Sequence, residues 1–174
     1  MVKRKIPDVI SEKELIELVT HPSLKRKKRR IAYLFMFYQA LRISEVIKLR
    51  KEDYDKYTKL LHIRQAKGSK DRKIPISPNL VKAIKYLPFG SEKAKDGGIR
   101  ALQIALKRDG RRILNKDLHP HTLRHSGATY YLNVKGWSTR QVQVFLGHSR
   151  VSTTEIYTHV NPKDLVNVMW KDII

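Results

Sequence analysis

The chain has 174 residues, 37 Lys and Arg against 16 Asp and Glu, and no Cys. That length suits one domain with a buried core, and the absence of Cys excludes disulfides, thiolate metal sites and a cysteine nucleophile. The formal charge of +21 points to a polyanion, and nucleic acid leads, because Lys and Arg that neutralise phosphates drive such binding. A ribosomal-type basic protein or a membrane-surface binder is the duller reading of the same charge.

The charge is uneven: +8 in residues 1–50, +7 in 51–100, +7 in 101–150 and −1 in 151–174. The longest apolar run, residues 31–41, is broken by Gln39 and is too short to span a bilayer. No signal-peptide core follows the basic start Lys3-Arg4-Lys5. A soluble protein with no membrane partner is therefore expected.

Ser11-Glu12-Lys13-Glu14 reads as a capping box opening a helix through Val19. Ser23 can cap a longer helix from about Leu24 to Leu41. Its first turns carry six consecutive cations, Lys25 to Arg30, whose mutual repulsion disfavours a helix unless an anion lies near. A plainly solvated face is the alternative. Another helix starts near Ser44. The period then changes: Leu61, Ile63 and Gln65 alternate with polar residues, 66–71 is turn-like, and 72–77 reads as a second strand. Ser77-Pro78 begins a further helix with Pro at its first position. Residues 88–98 are a loop, and Ile99 to about Arg108 is helical. Pro120 opens a helix that Gly136 closes. Ser138-Thr139-Arg140-Gln141 caps the next, ended by Gly147. Ser152-Thr153-Thr154-Glu155 is a third capping box, and Asn161-Pro162 starts a final helix through about Lys171. The fold class is mainly α with one small antiparallel β-hairpin or sheet.

Five short stretches could carry chemistry. His121 and Arg124 lie one helical turn apart in a first turn, where free N–H groups and the helix dipole favour an anion. A zinc reading of His119, His121 and His125 lacks an accompanying thiolate or carboxylate, so no metal and no cofactor are expected. Arg42 directly follows an apolar helix, and pairing with Glu45 at the surface is its bland explanation. Lys67 sits in the hairpin turn, where most lysines are merely solvated. His148 follows the helix end at Gly147, where a histidine often just offsets the dipole. Tyr157 is one Tyr among eight, and most tyrosines pack half-buried. Composition and periodicity do not join these stretches.

Their order does. Leu41-Arg42-Ile43-Ser44-Glu45, a hairpin lysine, His121-Thr122-Leu123-Arg124-His125, Leu146-Gly147-His148-Ser149, then Ser152 through Val160 with Tyr157 nine residues after His148 together resemble the tyrosine recombinase (phage integrase) family, its Xer-like branch above all. The resemblance runs from about residue 7 to 160. It implies that Arg42 and Arg124 are catalytic arginines, Lys67 the hairpin lysine, His121 the partner of Arg124, His148 the last histidine and Tyr157 the nucleophile. Ala40 and Ala66 stand where glycine is usual, and Gly127 where an aromatic is usual.

The resemblance implies a metal-independent site-specific recombinase acting on double-stranded DNA through a 3′-phosphotyrosine link, as a homo-oligomer with a tetrameric synapse. A type IB topoisomerase or a non-catalytic DNA-binding regulator are the alternatives. It implies one catalytic domain over 1–174 without the family's N-terminal core-binding domain, and a tail helix, 162–174, that docks on a neighbouring protomer. The expected location is the cytoplasm, at the nucleoid, or a host cytoplasm if a virus or mobile element encodes the chain. Lys25, Arg26, Arg29, Lys70, Arg72, Arg111, Arg112 and Arg140 are expected to track DNA.

Overall fold

The computed structural model describes residues 9–64, 71–89, 98–147 and 162–171. The expectations for Lys67, Lys70, His148, Tyr157, Ala66 and the third capping box lie outside the described residues. The described part is mainly helical with one three-stranded antiparallel sheet, and none of its helices is long and apolar enough to cross a membrane.

Helix α1 spans Glu12–Thr20 and has the expected cap: Ser11 Oγ accepts from the Glu14 N–H, and Glu14 accepts from the Ser11 N–H at 2.8 Å. Helix α2, Lys27–Tyr38, is shorter than the 24–41 expected. At its start, Ser23 bonds to the His21 ring at 2.7 Å instead of capping. The Arg30 guanidinium donates to the carbonyls of His21 and Leu24. At its end, buried Gln39 donates to Pro75 O at 2.9 Å and accepts from the Ser77 N–H at 2.8 Å. That pair of bonds pins the end of α2 to the sheet and satisfies an amide that could not otherwise be buried cheaply. Ala40 then turns the chain with φ +45. This left-handed region favours glycine, the residue that the resemblance leads one to expect there.

Helix α3 is Ile43–Lys48, followed by a 3-10 turn at Lys51–Asp53. The sheet has the order β1 (Tyr54–Asp55), β2 (Leu60–Ile63), β3 (Arg72–Pro75). Strand β2 pairs with β3 from Leu60–Pro75 to Ile63–Arg72, which is the expected hairpin. Strand β1 was not foreseeable, because two residues carry no periodicity. Helix α4 is Pro78–Val81. Helix α5, Ile99–Leu114, runs six residues past the expected end at Arg108, continuing through Gly110 until Asn115 closes it. Helices α6, Pro120–Asn133, α7, Thr139–Leu146, and α8, Pro162–Trp170, match the sequence punctuation.

Helix α2 packs on α6. Gly127 sets the closeness of this interface: a Cβ there would lie 2.0 Å from the Phe37 carbonyl oxygen. The backbone of α2 thus occupies the space that a side chain at 127 would need. Gly127→Ala should destabilise the domain by about 3 kcal/mol, since backbone cannot yield as a side-chain tip can. Urea unfolding at constant m checks this, and an unchanged midpoint would show that the helices part freely. Around this interface Tyr131 packs on Trp137 and Phe145, at ring distances of 4.4 and 5.1 Å. The Tyr131 hydroxyl donates to Tyr38 O at 2.7 Å.

Helix α8 lies on β3 and β2 of its own chain. Leu165 is buried, Val168 and Met169 pack on the core, and Trp170 Nε1 donates to Ile76 O at 3.1 Å. Lys59 Nζ stands over the Trp170 ring at 4.1 Å. Leu165 of α8 is thus buried, and Val168, Met169 and Trp170 partly buried, against this chain's own core.

Candidate active site

The turn after α2 delivers Arg42 as the residue before α3, with its side chain 40% exposed. Helix α6 delivers Arg124, whose side chain is only 7% exposed. Glu45, almost fully buried, stands between them. Its Oε2 accepts from the Arg42 N–H at 2.8 Å, its Oε1 lies 3.3 Å from Arg42 Nη1, and Arg124 Nη1 is 3.8 Å away. A third guanidinium enters from β3: Arg72 meets Glu45 at 2.7 Å (Nη1 to Oε1) and 3.3 Å (Nη2 to Oε2).

Three guanidinium charges around one carboxylate leave an excess of positive charge in a partly desolvated place. The titration behaviour follows. Burial alone would raise the Glu45 pKa, but the hydrogen bond and charge of Arg72, the Arg42 N–H and the charge of Arg124 outweigh it and hold the carboxyl below the usual range. Burial, followed by repulsion from Arg42 and Arg72, lowers Arg124 to about 10 despite the opposing pull of Glu45. Arg124 remains a cation at neutral pH, and an entering anion relieves the repulsion that lowers it.

Two Arg124 donors already point inward, one to Ala40 O and one to Leu146 O at 2.9 Å. These bonds tie the ends of α2 and α7 to α6. His121 is exposed on the first turn of α6, its ring 6.4 Å from that of His125. Among the described residues no three metal-ligating side chains cluster. The arrangement can hold a tetrahedral anion such as a phosphodiester, with Arg42 the more exposed arm and Arg124 the buried one.

The structure thus brings together Arg42 and Arg124, with His121 one turn away on α6. The other expected cations are dispersed. Lys25 and Arg26 are exposed beyond the far end of α2, a helix about 18 Å long at 1.5 Å per residue. Arg26, Lys27, Lys28 and Arg29 line a cleft against Phe89 and Leu102. Arg29 and Arg112 approach the buried Asp109 at 3.5 and 3.4 Å. Arg111 is bonded to Asp117 at 2.9 Å. The Arg140 Nε is buried and lacks a hydrogen-bond partner among the described residues. Arg72 faces Glu45.

Glu45 is the residue that sequence reasoning undervalued. Its position three residues after Arg42 at a helix start marks it as a cap, but nothing local shows that Arg72 and Arg124 converge on it.

The family model described as "Phage integrase family" matches residues 8–104 and 91–164. The tyrosine recombinase XerA of Thermococcus kodakarensis is 35% identical over 94% of this chain and 62% of its own length. A crystal structure of XerA recombinase superposes with a TM-score of 0.68 at 26% identity, covering 97% of this chain and 66% of that one. The integrase from mycobacterium phage Brujita gives a TM-score of 0.76 at 20% identity, covering 95% of this chain and 58% of that one, a likeness of fold. The chain spans about three fifths of the length of the curated relatives it matches.

Proposed function

The chain belongs to the phage integrase family of tyrosine recombinases, and we propose from that premise that it cuts and rejoins double-stranded DNA at specific sites through a 3′-phosphotyrosine link. The observation that carries this reading is the cluster of Arg42 and Arg124 on buried Glu45. The two arginines grip the scissile phosphate and offset the charge that grows on its non-bridging oxygens. Tyr157 attacks phosphorus, its phenolic proton passes to His121, and the P–O5′ bond breaks. A phenol with a pKa near ~10 needs such a base. Lys67 protonates the departing 5′-oxygen, and His148 donates to a non-bridging oxygen. The 5′-hydroxyl of a partner strand then reverses these steps and completes the exchange. This chemistry calls on no metal or other cofactor.

In this reading four protomers assemble on paired sites. The tail helix docks on a neighbouring protomer after leaving its own sheet. The protein works at the nucleoid, or in a host cytoplasm as the product of a virus or mobile element. Trapping on nicked suicide substrates with candidate attachment sites tests the activity. A protein–DNA adduct stable in detergent, and a four-protomer complex on native gels, are the expected results. Relaxation of supercoils without paired sites would instead make the chain a topoisomerase, and binding without any adduct would make it a regulator.

The basic run at 25–30 supplies part of the grip on DNA. Replacing Lys25, Arg26, Lys27 and Lys28 by Gln should flatten the dependence of log affinity on log salt, by up to ~0.9 for each phosphate no longer neutralised. An unchanged slope would place the run off the DNA.

A further inference from the structure

Arg72 is among the cations expected to touch DNA, but its side chain is only 11% exposed. It opens β3, five residues after Lys67 in the chain. Both of its terminal nitrogens grip the Glu45 carboxylate, at 2.7 and 3.3 Å. Its Nε is buried and has no hydrogen-bond partner among the described residues. Its stem passes directly under Gly147: a Cβ there would come within 2.6 Å of Arg72 Cδ and 2.7 Å of Nε. Gly147 has φ +70 and ends α7 immediately before His148. One side chain therefore links β3, the Glu45 carboxylate between Arg42 and Arg124, and the turn at Gly147.

We infer that Arg72 is a positioning residue of this site, acting through Glu45 rather than on DNA. The planar fork fixes the carboxylate in two directions at once, which leaves Glu45 Oε2 aligned for the Arg42 N–H and facing Arg124. A lysine would keep the charge but meet Glu45 at one point only. The carboxylate could then rotate, and both phosphate-gripping arginines would shift with it. Displacements of about 1 Å in such a site cost roughly a hundredfold in rate. The inference rests on the recombinase reading.

The test compares Arg72→Lys, Arg72→Gln, Glu45→Gln and the double variant Glu45→Gln/Arg72→Gln with the unaltered chain. Three quantities are measured: DNA affinity across a salt series, the single-turnover rate of adduct formation at saturating nicked substrate, and the melting temperature. Rates are read at a temperature where circular dichroism shows every variant folded. Arg72→Lys should bind DNA within about twofold of the unaltered chain, with the same salt slope, and form adduct about a hundredfold more slowly. The double variant should lose much less than the product of the two single losses, because the two residues act as one unit.

A weakened affinity with a flatter salt slope and a normal saturated rate would make Arg72 a DNA-binding residue and overturn the inference. A lowered melting temperature with a normal saturated rate would make it merely structural and also overturn it. Losses that multiply in the double variant would sever it from Glu45. If the unaltered chain forms no adduct, the recombinase reading falls and this one with it. A normal rate in Arg72→Lys removes this inference alone.

Discussion

Arg124→Lys is expected to slow phosphotyrosine formation about a thousandfold while changing DNA affinity little. The guanidinium has two donors committed to Ala40 O and Leu146 O and still faces the cluster around Glu45. A lysine cannot hold the ends of α2 and α7 and a phosphate oxygen in the same geometry. Loss of one preordered donor to a developing oxyanion costs about 10²–10³ in rate. Affinity depends on many phosphate contacts and hardly notices one.

The pH dependence sharpens the expectation. Arg124 remains charged until about pH 10, with burial and the neighbouring Arg42 and Arg72 lowering it. A lysine in the same surroundings starts from about 10.4 and is pushed down by the same burial and repulsion. Its charge is present below its lowered pKa and lost as pH rises through it. Residual activity of Arg124→Lys should therefore decline between about pH 6 and 9, relative to the unaltered chain. Single-turnover trapping at several pH values checks both statements. A rate within about fivefold of the unaltered chain, or a flat ratio across pH, would remove Arg124 from the phosphate.

Tyr157→Phe carries the other large effect. In the proposed mechanism the Tyr157 hydroxyl is the atom that bonds to phosphorus, so deleting it should take adduct formation below detection. Duplex binding and its salt slope should persist, since phenylalanine keeps the ring and no charge changes. The chain holds eight tyrosines, and several are excluded from the role by their surroundings. Tyr33 donates to buried Asp109, Tyr38 to Glu12 and Tyr131 to a backbone carbonyl. Burial first, then neighbouring acidic groups, raises Tyr33 and Tyr38 well above the ordinary phenol range. Gel shift and detergent-stable adduct assays on one DNA separate the two outcomes. An adduct surviving in Tyr157→Phe would move the nucleophile elsewhere.

Helix ends were legible where a side chain or a backbone requirement acts within four residues. Ser11, Pro120, Ser138, Gly147 and Pro162 mark boundaries that the structure keeps. Local reading failed where another partner competes. Ser23 turns to His21 instead of capping α2, the carbonyls that Arg30 satisfies lie in the preceding turn, and α5 passes Gly110. In each case a bond or packing contact outweighed a local preference worth about 1 kcal/mol or less.

The same division runs through the site. Resemblance to a known family, carried by residue order, made Arg42, His121 and Arg124 candidates; of their geometry only the i,i+3 spacing of His121 and Arg124 is a local fact. The +21 charge pointed to a polyanion, because charge needs no fold to be counted. Only the tertiary structure separated cations that face solvent from cations already committed. Arg72 and Arg124 turn inward to Glu45, and Arg29 and Arg112 to Asp109, while Lys25 and Arg26 stay exposed. A guanidinium binds whichever anion the fold brings within about 3 Å. Arg72 stands 27 positions from Glu45 in the chain and Arg124 much farther, so the three meet only after the chain has closed its core.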